Sequence, residues 1–121
     1  MNSDKTILIV DDEKMIRETI ADYFTDMGFH SRTAESGEKA LAILRDEKFS
    51  YATVDLKMDG MTGEDFITQA LMINNAMKFI IFTGSYNVML PEELVRIGIT
   101  ENQIYQKPVR LSDIYQAIID L

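Results

Sequence analysis

The sequence predicts an α/β protein built on a parallel sheet with helices on both faces. Three apolar runs carry this prediction: residues 7–10, 51–54 and 79–82 are short, rich in β-branched and aromatic side chains, and not alternating with polar residues. Runs of this kind are typical of strands buried on both faces. Longer amphipathic stretches lie between them, and an alternation of strands and helices favours parallel pairing through right-handed crossovers.

Two weaker strands complete the predicted sheet. Residues 29–34 and 103–106 carry more polar side chains than the other strands. Both segments suit edge positions, although the second could also be interior. With these two strands included, the sequence predicts five successive pairs of a strand followed by a helix.

The helices are predicted from apolar residues at helical spacing. The first carries its apolar face from Ile16 to Met27, and Gly28 suits the residue that stops it. The second follows residues 36–37, and the third runs through residues 66–73 and ends at residues 74–75. The fourth begins with Pro91, a residue that suits the first helical position, and continues through Ile97. The fifth covers residues 111–121.

Length and composition indicate a single globular domain over residues 1–121, large enough to bury a core without disulfides. The chain has no cysteine, which excludes a thiolate metal site and suits a cytoplasmic location. A formal charge of −8 argues against a domain that binds nucleic acid through its phosphates. The longest apolar run has five residues and no signal-peptide pattern is visible, so no membrane segment is expected.

Polar side chains stand at the ends of four of the predicted strands. Asp11 and Asp12 follow the first strand, Asp55 follows the third, Thr83 follows the fourth, and Lys107 ends the fifth. Ligands of open α/β sheets bind outside the carboxyl ends of the strands. We therefore expect these five residues to converge at one edge of the sheet.

This set of residues has a chemical meaning. Three carboxylates close together repel one another, and burial raises their pKa values unless a cation joins them. The available ligands are oxygens, which favours a hard cation, and Mg²⁺ fits best. A hydroxyl and an ammonium opposite the metal suit a phosphoryl group, whose transfer needs charge neutralisation and alignment more than covalent help. A carboxylate can serve as the nucleophile.

Each residue also has a simpler interpretation when taken alone. The two aspartates after the first strand could cap the following helix, Asp55 could start a turn, Thr83 could be a loop hydroxyl, and Lys107 could be a solvated charge. Their joint occurrence at successive strand ends favours the functional interpretation. His30 is the only histidine; we expect it at the surface of an edge strand and assign it no catalytic role.

Four segments resemble the receiver domain of bacterial two-component response regulators. They are residues 7–13 (ILIVDDE), 54–63 (VDLKMDGMTG), 82–84 (FTG) and 107–108 (KP). The resemblance extends over essentially the whole chain. It implies the doubly wound, flavodoxin-like (βα)5 fold, a five-stranded parallel sheet with strand order 2-1-3-4-5.

The same resemblance implies a role for each residue of the set. Asp55 would be the phosphoacceptor, taking a phosphoryl group from the phosphohistidine of a sensor histidine kinase or a histidine phosphotransfer protein. Thr83 would hydrogen-bond the phosphoryl oxygens and Lys107 would pair with them. The Mg²⁺ ligands would be Asp12, Asp55, the backbone carbonyl of Lys57 and, through a water, Asp11.

The implied function is a signalling domain rather than an enzyme, although it would assist its own phosphotransfer and dephosphorylation. Phosphorylation would change the face formed by the fourth helix, fifth strand and fifth helix, and an effector protein or a second copy of the chain would bind the changed face. The family's pattern also implies a cis peptide bond between Lys107 and Pro108.

The sequence departs from the family's pattern at several positions. Asp59 stands where proline is usual, Gly84 where alanine is usual, and Ile104 where an aromatic switch residue is usual, with Tyr105 beside it. The stretch between Thr83 and Lys107 is longer than usual. Most of its unusual sequence lies in residues 85–90, so we expect a late or irregular fourth helix.

Other functional classes fit the sequence less well. A pseudo-receiver, a binding module of the same fold without phosphorylation, is the main alternative, and the intact five-residue set argues against it. A haloacid-dehalogenase-type phosphatase needs a second aspartate where Lys57 stands. A calcium loop starting at Asp55 fails at Lys57 and Phe66, and no glycine-rich nucleotide motif is present.

Overall fold

A computed structural model of the chain describes residues 5–84 and 90–121. Within these residues strands and helices alternate along the chain. The elements are β1 (Thr6–Val10), α1 (Lys14–Asp26), β2 (His30–Ala34), α2 (Gly37–Asp46), β3 (Tyr51–Asp55), α3 (Gly63–Ile73), β4 (Lys78–Thr83), α4 (Glu92–Arg96), a 3₁₀ turn (Glu101–Gln103), β5 (Ile104–Gln106) and α5 (Leu111–Ile119). No helix among the described residues is long and apolar enough to cross a membrane.

The strands form one parallel sheet in the order β2-β1-β3-β4-β5. This order confirms the predicted doubly wound fold, and β2 and β5 lie at the two edges. In the register of the sheet Val10 pairs with Val54, and Asp55 pairs with Phe82. The carboxyl ends of the central strands therefore lie side by side.

The sheet separates two hydrophobic cores, as the non-alternating strands predict. Ile7 and Ile9 of β1 face the core shared with α1 and α5, whereas Leu8 and Val10 face the core shared with α2, α3 and α4. All four side chains are fully buried. Helices on both faces leave the carboxyl edge of the sheet open, and the functional residues lie at that edge.

Local hydrogen bonds explain where the early helices begin and end. Gly28, at φ 92°, ends α1, and two backbone bonds close the turn: Gly28 N–H donates to Thr25 and Phe29 N–H to Phe24. This is the Schellman arrangement. Ser36 caps α2 by accepting from the backbone N–H of Lys39, the side-chain cap expected of serine before a helix.

The later elements differ from the sequence prediction at their ends. The sequence predicts Gln103 in the fifth strand. In the structure its side chain closes a capping box with Thr100, and its Nε2 donates to the carbonyl of Phe79. The strand β5 therefore begins at Ile104. Pro91 precedes α4 instead of being its first residue, and α4 ends at Arg96, before Ile97. The α5 helix ends at Ile119. Of the segment 85–90 expected to be irregular, residues 85–89 lie outside the described residues.

Candidate functional site

The carboxyl edge of the sheet brings the predicted residues together. Asp11 follows β1, Asp55 and Thr83 are the last residues of β3 and β4, and Lys107 follows β5. Asp11, Asp55 and Thr83 are 1%, 6% and 9% exposed, whereas Asp12 faces solvent. Two acidic groups are thus held inside the protein, where an ionised carboxylate is stable only with hydrogen bonds and a cation nearby.

Lys107 supplies a cation to both buried carboxylates. Its Nζ donates to Oδ2 of Asp55 at 2.9 Å and to Oδ2 of Asp11 at 3.1 Å. The Lys107 side chain is only 22% exposed, so the interpretation of this residue as a solvated surface charge is wrong. The backbone N–H of Lys107 donates to the carbonyl of Thr83 at 2.8 Å, and the peptide bond to Pro108 is cis, as predicted.

The other oxygen of each buried carboxylate accepts a backbone hydrogen bond. Oδ1 of Asp11 accepts from the N–H of Glu13 at 2.9 Å, and Oδ1 of Asp55 accepts from the N–H of Lys57 at 3.1 Å. Each aspartate therefore closes a turn of its own loop with one oxygen and contacts the shared ammonium with the other. This pattern fixes the orientation of both carboxylates.

The electrostatics of the site show an excess of negative charge. Burial raises the pKa of Asp11 above its ordinary value of 3.8, and the nearby Asp55 adds to the effect, against the hydrogen bonds from Glu13 and Lys107. Burial alone would lower the pKa of Lys107, but its hydrogen bonds to Asp55 and Asp11 outweigh burial and raise that pKa above 10.5. The carboxylates hold the lysine in its charged form, and one lysine does not balance them.

The three aspartates also form a group suited to a metal ion. One carboxylate oxygen from each of Asp11, Asp12 and Asp55 lies within 4.8 Å of the other two. The donors are all oxygens, which is the ligand set of a hard divalent cation. The backbone of Lys57 lies in the turn that Asp55 closes, so the residues present fit the predicted ion.

Two further residues contact this site and were not predicted from the sequence. Arg17 donates from its guanidinium to the backbone carbonyl of Asp11 at 3.0 Å, which ties α1 to the acidic loop. A Cβ at Gly63 would lie 2.8 Å from the carbonyl oxygen of Asp55, and the Gly63 N–H donates to the carbonyl of Leu56. Only glycine fits this close approach, and its position eight residues after Asp55 was the available signal.

His30 lies outside the site, as predicted. It is exposed on β2, where its Nε2 contacts the carboxylate of Glu47, and it is remote from the acidic group.

Ile104 and Tyr105 face opposite sides of the sheet. Ile104 packs in the core with α4, and Tyr105 packs in the core with α1 and α5. The aromatic ring next to Ile104 therefore does not substitute for one on the α4 side.

Comparison with known proteins gives one consistent family. The family model described as the response regulator receiver domain matches residues 7–119. The chain is 28% identical over 112 residues to sporulation initiation phosphotransferase F of Bacillus subtilis, covering 93% of this chain and 89% of that protein.

A longer relative and a solved structure extend the comparison. Transcriptional regulatory protein GlrR of Escherichia coli is 30% identical over 117 residues, which cover 94% of this chain but 25% of that protein. The chain thus spans about a quarter of the length of this relative. The structure of a CheY-like response regulator receiver domain protein from Methanospirillum hungatei superimposes with a TM-score of 0.87 at 27% identity, covering 96% of this chain and 91% of that one.

Proposed function

The chain belongs to the family of response regulator receiver domains, and from this premise we propose that it is the phosphoacceptor of a two-component system. Asp55 takes a phosphoryl group from the phosphohistidine of a sensor histidine kinase or a histidine phosphotransfer protein. The phosphorylated domain then presents a changed surface to an effector protein or a second copy of itself, in the cytoplasm. It is a signalling domain rather than an enzyme acting on a separate substrate.

The observation that carries this proposal is the shared ammonium of Lys107. A carboxylate buried only as a structural element needs its own partners, but Asp55 shares its cation with Asp11 and lies beside a third carboxylate, Asp12. The arrangement concentrates negative charge that a divalent cation neutralises. Bound Mg²⁺ would also neutralise the oxygens of an incoming phosphoryl group, with Asp12, Asp55, the Lys57 carbonyl and, through water, Asp11 holding the ion.

The transfer step follows from the chemistry of the acceptor. A carboxylate oxygen of Asp55 attacks phosphorus as the bond to the donor histidine nitrogen breaks, and that nitrogen keeps the electron pair. The product is an acyl phosphate, which water later hydrolyses to restore the carboxylate. The hydrogen bond from the Lys57 N–H orients the Asp55 carboxylate before attack.

In the proposed function Thr83 and Lys107 bind the phosphoryl group. They end neighbouring strands and are already joined, since the Lys107 N–H donates to the Thr83 carbonyl. In the phosphorylated state the Lys107 ammonium pairs with the phosphoryl oxygens and the Thr83 hydroxyl donates to them. These differential contacts favour a second conformation of the face formed by α4, β5 and α5.

The alternative is a pseudo-receiver that binds a partner without phosphorylation. A titration with beryllofluoride, a phosphoryl analogue, distinguishes the two functions by nuclear magnetic resonance. The phosphoacceptor requires saturable, Mg²⁺-dependent shifts of the amides of Lys57, Thr83 and Lys107. A spectrum unchanged at saturating Mg²⁺ and beryllofluoride would instead establish the pseudo-receiver.

A further inference from the structure

The loop that follows Asp55 lies against the start of a different helix. We call residues 56–62, between β3 and α3, the acceptor loop. Its Met61 covers the first residue of α2, Gly37: a Cβ at position 37 would lie 2.9 Å from Met61 Sδ and 3.2 Å from both Met61 Cβ and Cγ. Both the stem and the sulfur of Met61 therefore occupy the space of the side chain that Gly37 lacks.

A second contact joins the same two segments. Gly60 of the acceptor loop has φ 81°, and a Cβ there would lie 3.0 Å from Oε2 of Glu38 in α2. Two adjacent residues of α2 thus meet two adjacent residues of the loop. Met61 is partly buried and packs on the core shared by α2 and α3, which anchors the contact.

Local preference does not explain the glycine at position 37. Gly37 has no positive φ, and Ser36 already caps the helix through the backbone of Lys39. Alanine is a better helix former than glycine, so α2 alone would favour alanine. The close approach of Met61 is the feature of the structure that disfavours a methyl group at this position.

We propose that Met61, seated on Gly37, is a positioning residue that holds the acceptor loop for metal binding. The inference rests on the proposed function, because the loop contains Lys57, whose carbonyl is a proposed Mg²⁺ ligand. The loop is closed at one end by the Gly63 N–H, which donates to the carbonyl of Leu56 at 3.0 Å. Met61 restrains the segment in between by docking it on α2.

The test measures the Mg²⁺ dissociation constant of the full chain from amide shifts of Lys57 and Asp59. Met61→Ala removes the docked side chain and Gly37→Ala displaces it. Each variant is expected to weaken Mg²⁺ binding about tenfold, the scale on which residues supporting metal ligands act. Met61→Leu keeps an apolar side chain of similar volume and should restore affinity to within about twofold of the unmodified chain.

The double variant separates this contact from a general loss of structure. Met61→Ala removes Sδ and Cγ and leaves only Cβ, 3.2 Å from the Cβ position of residue 37, so adding Gly37→Ala should cause a smaller loss than it causes beside Met61. Met72→Ala is the matched control, since Met72 lies on α3 and is 83% exposed, and it should bind Mg²⁺ as the unmodified chain does. Circular dichroism verifies that every variant is folded at the temperature of the titration.

The possible results decide between the inference and the function on which it rests. Unchanged affinity in both single variants, additive losses in the double variant, or an equal loss in Met72→Ala would overturn the role of Met61 while leaving the metal site intact. Absence of saturable Mg²⁺ binding by the unmodified chain would overturn the proposed function and this inference with it.

Discussion

Lys107 Nζ lies 2.9 Å from Oδ2 of Asp55, a residue 52 positions away in the sequence. The same nitrogen lies 3.1 Å from Oδ2 of Asp11, so one ammonium serves two buried carboxylates. We expect the charge balance at this point to determine how stability depends on pH and how strongly the site binds a divalent cation. Substitutions of Lys107, Asp11 and Asp12 each change that balance by one charge.

Lys107→Ala removes the cation and leaves the carboxylates of Asp11 and Asp55 facing each other. Without Mg²⁺ at neutral pH, the free energy of unfolding should fall by about 1–3 kcal/mol, the cost of leaving buried polar groups without a partner. Urea denaturation measures the change. Lys14→Ala is the control, because Lys14 is 75% exposed and its loss should change stability by no more than about 0.5 kcal/mol. Equal effects of the two substitutions would place Lys107 outside the charge balance of the site.

Asp11→Asn tests the raised pKa of Asp11. A carboxyl group with a raised pKa in the folded state contributes stability that is fully present below pH 3.8, its ordinary pKa, and is lost as the pH rises through the folded pKa. Asparagine is neutral at every pH, so the variant does not lose stability in this way. The variant should therefore gain stability relative to the unmodified chain as the pH rises above 3.8 and through the folded-state pKa of Asp11.

Urea denaturation across that pH range, without metal, measures the difference for Asp11→Asn. The informative quantity is the variation of this difference with pH, since the lost hydrogen bond to Lys107 adds a nearly constant cost. A difference that is flat, or that falls as the pH rises, is incompatible with an Asp11 carboxylate disfavoured by burial.

Mg²⁺ should stabilise the fold by binding the native state. At a free concentration one hundred times its dissociation constant, the gain is about 2.7 kcal/mol. Asp12→Ala removes the exposed member of the acidic group and should abolish most of this gain, whereas Asp22→Ala, an exposed acidic position on α1, should retain it. Thermal unfolding with and without Mg²⁺ provides the measurement, and a full gain in Asp12→Ala would mean that the ion binds elsewhere.

Thr53→Val should stabilise the protein. The Thr53 hydroxyl lies in the middle of β3, 1% exposed, and has no hydrogen-bond partner within residues 5–84 and 90–121. Replacing an unpaired buried hydroxyl with a methyl group removes a desolvation cost, so the free energy of unfolding should rise by about 1 kcal/mol. Thr33→Val, at an exposed position of β2, should change it by less than about 0.5 kcal/mol. Destabilisation by Thr53→Val would show that the hydroxyl is satisfied in solution.

Most of the fold was predictable because the strands are buried on both faces. Apolar runs such as residues 79–82 have no other common explanation once helices separate them, and the ends of such runs locate the candidate residues at one edge of the sheet. The contact of Lys107 with the acidic group follows from that topology. The family's motifs then supplied the order of the strands and the proposed roles.

The remaining features depend on contacts that have no local signal. Gln103 suits a strand by its neighbours, but its capping box with Thr100 and its bond to Phe79 favour a turn. The docking of Met61 on Gly37 joins segments from two different crossovers. Neither the spacing of apolar residues nor the residue types reveal such pairs, because they are formed only when the helices pack.

The central claim is that Asp55 is the residue that carries the phosphoryl group. The most direct measurement is intact-protein mass spectrometry after incubation with acetyl phosphate and Mg²⁺. The account predicts one hydroxylamine-labile phosphoryl group, as expected of an acyl phosphate, on the unmodified chain and on Asp59→Asn, an exposed carboxylate of the same loop, and none on a folded Asp55→Asn variant. Undiminished labelling of Asp55→Asn would contradict the account.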